Sequence, residues 1–235
     1  MDMELDFTGE FCVPGASGEK TEAHHMARYG FAGRYAKDKV ILDIACGVGY
    51  SAPLFVAAGA TKYHGVDINE KLVEHARNKY TSNRASFRVG DICNFNSGEK
   101  YDLIVCFETI EHVSDYRSAL SNLFSLLKSN GLLLISSVNR LVTSPGALSI
   151  DDTPANRFHI HEFTPHELVN ELRAVGFTTD ESDIFGQSYQ KKHSNKFVFK
   201  LIKKLSGKPS AKSMAKITPM KGRTPRYFLI SATKI

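Results

Sequence analysis

Lys39-Val-Ile-Leu-Asp-Ile-Ala-Cys-Gly-Val-Gly-Tyr-Ser51 decides how this chain is read. It opens as a short apolar run rich in branched residues, the pattern of a buried strand. It then enters Cys46-Gly47-Val48-Gly49, where two glycines admit backbone angles that side chains disfavour. Tyr50 to Ala58 follows as a helix closed by Gly59. Strand, glycine turn and helix together bring backbone N–H groups to a strand's carboxyl end. Nucleotide-like ligands bind at that place in open parallel sheets.

The elements after it repeat the alternation. Lys62-Tyr-His-Gly-Val-Asp67 reads as a second strand and ends in an acid 24 residues after Asp43. A carboxylate there can accept hydrogen bonds from both hydroxyls of a ribose. Glu70–Tyr80 reads as a helix, Ala85–Val89 as a third strand and Tyr101–Phe107 as a fourth. Ser114–Lys128 reads as a helix, and Leu132–Ser136 as a fifth strand. Thr164-Pro165-His166-Glu167 combines an N-cap, a proline at the first helical position and an acid at the third. The helix it opens stops at Gly176. Phe177–Phe185 and Arg226–Thr233 read as two final strands with no crossover helix between them. The pattern predicts an α/β, Rossmann-like, seven-stranded, mostly parallel sheet with helices on both faces and an antiparallel last strand.

Ahead of the first strand, Glu19 to about Ala36 is expected to be a helix, with Met26, Tyr29, Phe31 and Ala32 as packing positions. His24 reads as a solvated surface residue, while His25, Arg28 and Tyr29 are candidates to face a ligand. The predicted organisation is a cap or lid over residues 1–38 and one domain over 39–235, with a basic insertion at about 186–225.

Composition narrows the compartment and the partners. No apolar run reaches the roughly 20 residues that span a bilayer. The first residues, Met-Asp-Met-Glu-Leu-Asp, lack the basic and apolar regions of a signal peptide. The four cysteines are scattered, with no Cys-x-x-Cys to suggest zinc or a disulfide frame. A cytoplasmic protein is the expectation. Thirteen of the 30 basic residues lie after Gly186, and no acid follows Asp183. An acidic body with a basic end bears on partners rather than on fold. Lys196–Leu205 reads as a basic amphipathic helix, suited to peripheral contact with a membrane's inner face or to docking a partner.

Taken in order, these stretches resemble the class I S-adenosylmethionine-dependent methyltransferases. Val40-Ile-Leu-Asp-Ile-Ala-Cys-Gly-Val-Gly49 resembles that family's first motif, with Ala45 where a glycine is usual. Gly65-Val-Asp67 resembles its ribose-binding strand, and Val89-Gly-Asp91-Ile92 its adenine-contacting turn. A nicotinamide fingerprint wants a third glycine that this chain lacks. The resemblance implies that Asp43 and the amides around Ala45, Cys46, Gly47 and Gly49 hold the methionine part of the cofactor. It places Asp67 on the ribose, Ile68, Asp91 and Ile92 around the adenine, and Phe107 under the cofactor.

Glu108-Thr-Ile-Glu111-His112 follows the fourth strand. On a helix these spacings put Glu108, Glu111 and His112 on one face. His159 and His161 lie in a later loop at the same edge of the sheet. The cluster could supply a base and its orienter, with His112 the first choice for catalysis. The pattern also resembles metal-assisted O-methyltransferases, including those acting on ubiquinone precursors and on small-RNA ends. That implies a divalent cation, magnesium, held by Glu108, Glu111, His112 and His159. Arg140 and Arg157 flank the long loop from Asn139 to Phe158 and could meet an anionic substrate.

The expected activity is O-methylation of a small-molecule or saccharide hydroxyl, with a lipid-linked or phosphorylated glycan as one form of acceptor. RNA 2′-O-methylation is the enzymatic alternative, although no RNA-binding module accompanies the basic charge. A nucleotide-sensing or docking module without turnover is the alternative from another class.

Overall fold

The computed structural model describes residues 11–189 and 210–235. Strands β1 (Val40–Ile44), β2 (Lys62–Asp67), β3 (Ala85–Val89), β4 (Tyr101–Phe107), β5 (Leu127–Val138), β6 (Ile184–Tyr189), β7 (Thr218–Pro219) and β8 (Pro225–Thr233) form one sheet. Its order is β3-β2-β1-β4-β5-β8-β6-β7. The pairs from β3 to β5 are parallel, whereas β8 runs antiparallel to both β5 and β6.

The described residues thus hold eight strands rather than seven, because Thr218–Pro219 adds a two-residue edge beside Phe185 and Gly186. The strand expected at 177–185 begins at Ile184. Ahead of it Thr178 bridges to Thr233 and the Thr179 hydroxyl donates to the Ser231 carbonyl, without forming a strand. Parts of the expected basic insertion therefore belong to the sheet: residues 186–189 complete β6. The amphipathic helix expected at 196–205 lies outside the described residues. Among the described residues no helix is long and apolar enough to cross a membrane.

Neighbouring residues of the central strands alternate between two apolar layers, as strand geometry requires. Leu42, Ile44 and Ile104 pack with Leu120, Leu123, Leu168 and Phe163 on the face covered by α4 (Tyr116–Leu126) and α6 (Pro165–Val175). Ile41, Leu103 and Val105 pack with Phe31, Phe55 and Val73 under α1 (Glu19–Gly33), α2 (Ala52–Ala57) and α3 (Glu70–Tyr80). The local signals behave as expected. Asn69 caps α3 by accepting from the Lys71 and Leu72 amides. Thr164 and Glu167 form a reciprocal capping box on α6, and Gly176 ends that helix at φ 116°.

Strand order reverses between β1 and β4, and a crevice opens at their carboxyl ends. Ligands lodge at such a switch point. Here α1 lies across it, with His24, Arg28 and Tyr29 buried beneath. Its buried face carries polar side chains, so apolar periodicity misplaced two residues: His24 is buried and Met26 is 43% exposed.

Candidate active site

The crevice is a cavity of about 550 Å³, within the roughly 300–1,000 Å³ usual for small-molecule sites. Ala45, Cys46, Gly47, Asp67, Ile68 and Phe107 line one end; Glu108, Glu111, His112 and His159 line the other.

The glycine turn divides its labour. Gly47 has φ 55°, and a Cβ added there would meet no atom within 4 Å, so its backbone faces open space. Gly49 has φ 78°, and its Cβ would lie 2.6 Å from that of Ala76. The first glycine opens the turn to a ligand; the second lets the turn pack on α3. Gly49 accordingly does not line the cavity. Ala45 also takes a left-handed conformation, φ 61°, which costs a residue with a Cβ roughly 1–2 kcal/mol.

Asp43 sits behind the turn, fully buried. It accepts hydrogen bonds from Ser51 Oγ, from Tyr63 OH at 2.8 Å and from Tyr29 OH at 3.3 Å. Burial raises its pKa to about 7 against the pull of these three hydroxyls. Asp43 is therefore the turn's scaffold rather than part of the cavity wall. Asp67 reaches the cavity, with one oxygen accepting the Gly47 amide at 2.8 Å and the other that of Asn69 at 2.9 Å. Beside it Ile68 is 70% exposed, an apolar surface suited to a flat base. Asp91 and Ile92 stay outside the lining: Asp91 accepts the Cys93 amide and Ile92 is buried in the core. They adjoin it all the same, because the Gly90 amide bonds the Asp67 carbonyl.

Glu108, Glu111 and His112 do converge, though not on an α-helical face. Glu108 takes a left-handed conformation at φ 51°, and only Ile110–His112 form one 3₁₀ turn. Glu108 accepts from Ser136 Oγ at 2.8 Å, and Glu111 from Ser137 Oγ at 3.0 Å. Burial, reinforced by the neighbouring Glu108, raises the Glu111 pKa to about 8.

The histidine loop is strapped to this turn by its backbone. The Ile160 and His161 amides both bond the Glu111 carbonyl, at 2.8 and 3.2 Å. This brings the His112 and His159 rings edge to face, 5.0 Å between centroids. His112 Nδ1 meets the Phe158 carbonyl at 2.9 Å. A carbonyl can only accept, so Nδ1 carries the hydrogen and Nε2 is the ring's basic nitrogen. In His159, Nδ1 faces Glu162 at 2.6 Å and Nε2 faces the Asn156 amide at 2.9 Å. Burial pushes Glu162 up, but hydrogen bonds from His159, Thr143 and Ser144 outweigh it and hold its pKa below the usual range.

His161 does not join the cluster; its Nε2 lies 3.3 Å from the Ser114 carbonyl. Arg140 is likewise diverted. It is buried, grips Glu167 through both terminal nitrogens and donates to the Glu162 carbonyl at 2.8 Å. It clamps the loop and does not face a substrate. Sequence reasoning also missed much of the wall: Phe11, Thr21, Leu72, Val138 and Tyr227 all line the cavity. Leu72 was legible only as a core position, and Tyr227 lies on β8, remote in sequence from every motif.

Glu111, His112 and His159 each offer one donor atom within 4.8 Å of the others, and Glu108 is not among them. Two imidazoles and one carboxyl suit zinc, manganese or iron. Magnesium takes shells made almost wholly of oxygen. The expected magnesium ion does not fit these donors, and none of the chemistry proposed below draws on it.

Comparison with known proteins agrees with this geometry. Residues 23–182 match a family model described as a methyltransferase domain. A probable S-adenosylmethionine-dependent methyltransferase of Mycolicibacterium smegmatis is 33% identical over 181 residues, 76% of this chain and 67% of that protein. A ubiquinone biosynthesis O-methyltransferase of Actinobacillus pleuropneumoniae is 36% identical over 110 residues, 43% of this chain and 47% of that one. Among solved structures, an S-adenosylmethionine-dependent methyltransferase from Mesorhizobium loti superposes with a TM-score of 0.61 at 16% identity, covering 90% of this chain and all of that one. Magnesium protoporphyrin IX methyltransferase from Synechocystis, with bound S-adenosylhomocysteine, gives 0.58 at 16% identity, covering 96% of this chain and 90% of that one. The chain belongs to the class I S-adenosylmethionine-dependent methyltransferases. It spans about two thirds of the length of the mycobacterial relative.

The cavity fits the cofactor this family uses. Gly47, Asp67, Ile68 and Phe107, which all line it, are the residues that would hold that cofactor.

Proposed function

We propose that the protein methylates a hydroxyl oxygen on a small molecule or saccharide, with His112 as the general base. The observation that carries this reading is the hydrogen bond from His112 Nδ1 to the Phe158 carbonyl. It fixes the tautomer and directs the basic nitrogen, and a hydroxyl acceptor needs such a base.

When bound, the cofactor supplies a methyl group on positively charged sulfur, already activated for in-line displacement. The chain's own residues align the acceptor and take its proton. His112 Nε2 receives that proton. His159, engaged at both ring nitrogens, keeps the His112 ring in place through their edge-to-face contact. Burial, reinforced by Glu108, holds the Glu111 pKa high, which lessens the negative charge it places near the reacting oxygen. Helix α1 acts as the lid, since it lies across the crevice. The ubiquinone-pathway relative, named an O-methyltransferase, supports an oxygen acceptor.

The test is incubation with isotopically labelled S-adenosylmethionine and an extract of metabolites and glycans, comparing native protein with His112→Ala and His112→Gln. Label is expected in hydroxyl-bearing small molecules or saccharides. Both variants should lose roughly 10²–10⁴-fold in rate while binding S-adenosylhomocysteine normally. Label in RNA alone, or an undiminished His112→Ala rate, overturns the reading.

A further inference from the structure

The amino-terminal edge of the sheet, opposite the crevice, carries a second cavity of about 280 Å³, a little under the roughly 300–1,000 Å³ of most small-molecule sites. It opens where β5 departs from β4. Tyr101 pairs with Leu127 but Leu103 with Leu132, so a short step along β4 faces a longer one along β5, and the chain between Leu127 and Leu132 bulges out. Asn130 turns there at φ 60°. The Asn130 amide bonds the Lys234 carbonyl at 2.6 Å, and the Lys234 amide bonds the Gly131 carbonyl at 3.0 Å. The bulge is therefore tied down. The link from α1 to β1 is tied as well: the Asp38 amide bonds the Gly59 carbonyl at 2.9 Å, and the Lys39 carbonyl accepts the Thr61 amide at 2.9 Å.

These two anchored segments wall the cavity with both charge and apolar surface. Arg34, Lys37 and Lys39 line it, and among the described residues none of the three is ion-paired. Arg34 donates through Nε to the Phe31 carbonyl at 3.3 Å, with its guanidinium carbon 4.1 Å from the centre of the Phe31 ring. Its terminal nitrogens keep donors for a ligand. Asp102, the acid in the lining, is already engaged by the Val40 amide at 2.8 Å and by Lys128 at 2.9 Å. Asp38 is exposed and stays outside the lining. The first 185 residues hold 25 acids against 17 basic residues, so three cations without a counter-charge run against the charge of the body. Leu103 and Leu132, paired across β4 and β5, supply the apolar part together with Tyr35, which is 40% exposed.

We infer that this cavity is a second binding site, for a phosphate monoester that carries a flat ring, the chemistry of a mononucleotide. The phosphate meets Arg34, Lys37 and Lys39, whose guanidinium and ammonium groups match a dianion. The ring packs against Leu103, Leu132 and Tyr35. Inorganic phosphate would leave the apolar walls uncovered, and a neutral ring would leave the three cations unmatched. The site shares no lining residue with the crevice, so it stands independently of the methyl-transfer reading.

The test titrates the full chain by calorimetry, with and without excess S-adenosylhomocysteine, using uridine monophosphate, uridine and inorganic phosphate. A pyrimidine is chosen because it lacks the adenine that the crevice is proposed to take. Uridine monophosphate should bind roughly tenfold or more tightly than uridine, the scale of charge-assisted hydrogen bonds. It should bind several-fold more tightly than inorganic phosphate, the scale of aromatic packing. Excess S-adenosylhomocysteine should leave that affinity unchanged. The double variant Lys37→Gln, Lys39→Gln alters two exposed side chains and should remove the preference over uridine. Tyr35→Ser should remove the preference over phosphate while leaving phosphate binding alone. Arg157→Gln, between the crevice residues Asn156 and Phe158, should change neither ratio. No binding of uridine monophosphate at millimolar concentration, equal affinity for it and for uridine or phosphate, or displacement by S-adenosylhomocysteine overturns the inference. So do ratios that ignore the lysine pair or that fall in Arg157→Gln.

Discussion

The Gly47 amide donates to a carboxylate oxygen of Asp67 across 2.8 Å. The bond joins the turn after β1 to the end of β2, so the two parts of the wall proposed to meet the methionine end and the ribose of the cofactor are one unit. Its two halves stand twenty residues apart in the chain. The parallel register of β1 and β2, which pairs Ile44 with Val66, brings them together.

Gly49 is the most sterically constrained position in that unit. Gly49→Ala places a methyl group within 2.6 Å of the Ala76 Cβ and 2.7 Å of the Phe87 ring, at φ 78°. The expected loss is roughly 2–4 kcal/mol, from overpacking and left-handed strain together. Urea unfolding measures it. Gly47→Ala, with open space around it, should cost only the conformational strain.

Asp43 makes stability depend on pH in a definite direction. Its pKa is about 3.8 when the chain is unfolded and about 7 when folded. Between those values the native state holds the extra proton. Its contribution is therefore complete below pH 4 and is lost as pH rises through 7. His24, lowered to about 4, acts in the opposite sense between pH 4 and 6.5, so the informative quantity is a difference. Native protein minus Asp43→Asn, followed by thermal unfolding from pH 4 to 8, should show stability that falls with pH. A flat difference would show that the three hydroxyl donors fully offset desolvation.

Arg140 predicts a separation of binding from turnover. Its grip on Glu167 and on the Glu162 carbonyl holds the loop that carries His159. Arg140→Met leaves the buried Glu162 carbonyl without this donor and Glu167 with only its capping-box bond, at a cost of about 1–3 kcal/mol. Methyl transfer should fall by tenfold or more because His112 and His159 lose their alignment. Affinity for S-adenosylhomocysteine, measured on the folded variant, should change little, since Arg140 does not touch the Gly47–Asp67 end.

The contrast between Asp67 and Asp43 shows what the sequence can and cannot convey. Both are acids on apolar strands beside the glycine turn, and both were legible as binding candidates. Asp67 ends its strand and reaches the crevice. Asp43 precedes the end of its strand, and strand alternation turns it toward Tyr29, Ser51 and Tyr63. Helices α3 and α6 were readable to the residue because their caps are local chemistry. The polar underside of α1 was not, because His24 and Arg28 are buried by contacts with β6 and β8, roughly 160 to 200 residues away. The convergence of Glu108, Glu111 and His112 was expected, but a left-handed Glu108 and a single 3₁₀ turn produce it. No side-chain periodicity encodes that geometry.

The central claim is that the crevice between β1 and β4 is a cofactor site governed by Asp67. Calorimetric titration of S-adenosylhomocysteine into native protein and into Asp67→Ala tests it most directly. The native protein should bind, and the variant should bind tenfold or more weakly, since a charged hydrogen-bond acceptor is removed. A native protein that ignores the ligand, or a variant that binds it equally well, would contradict the claim.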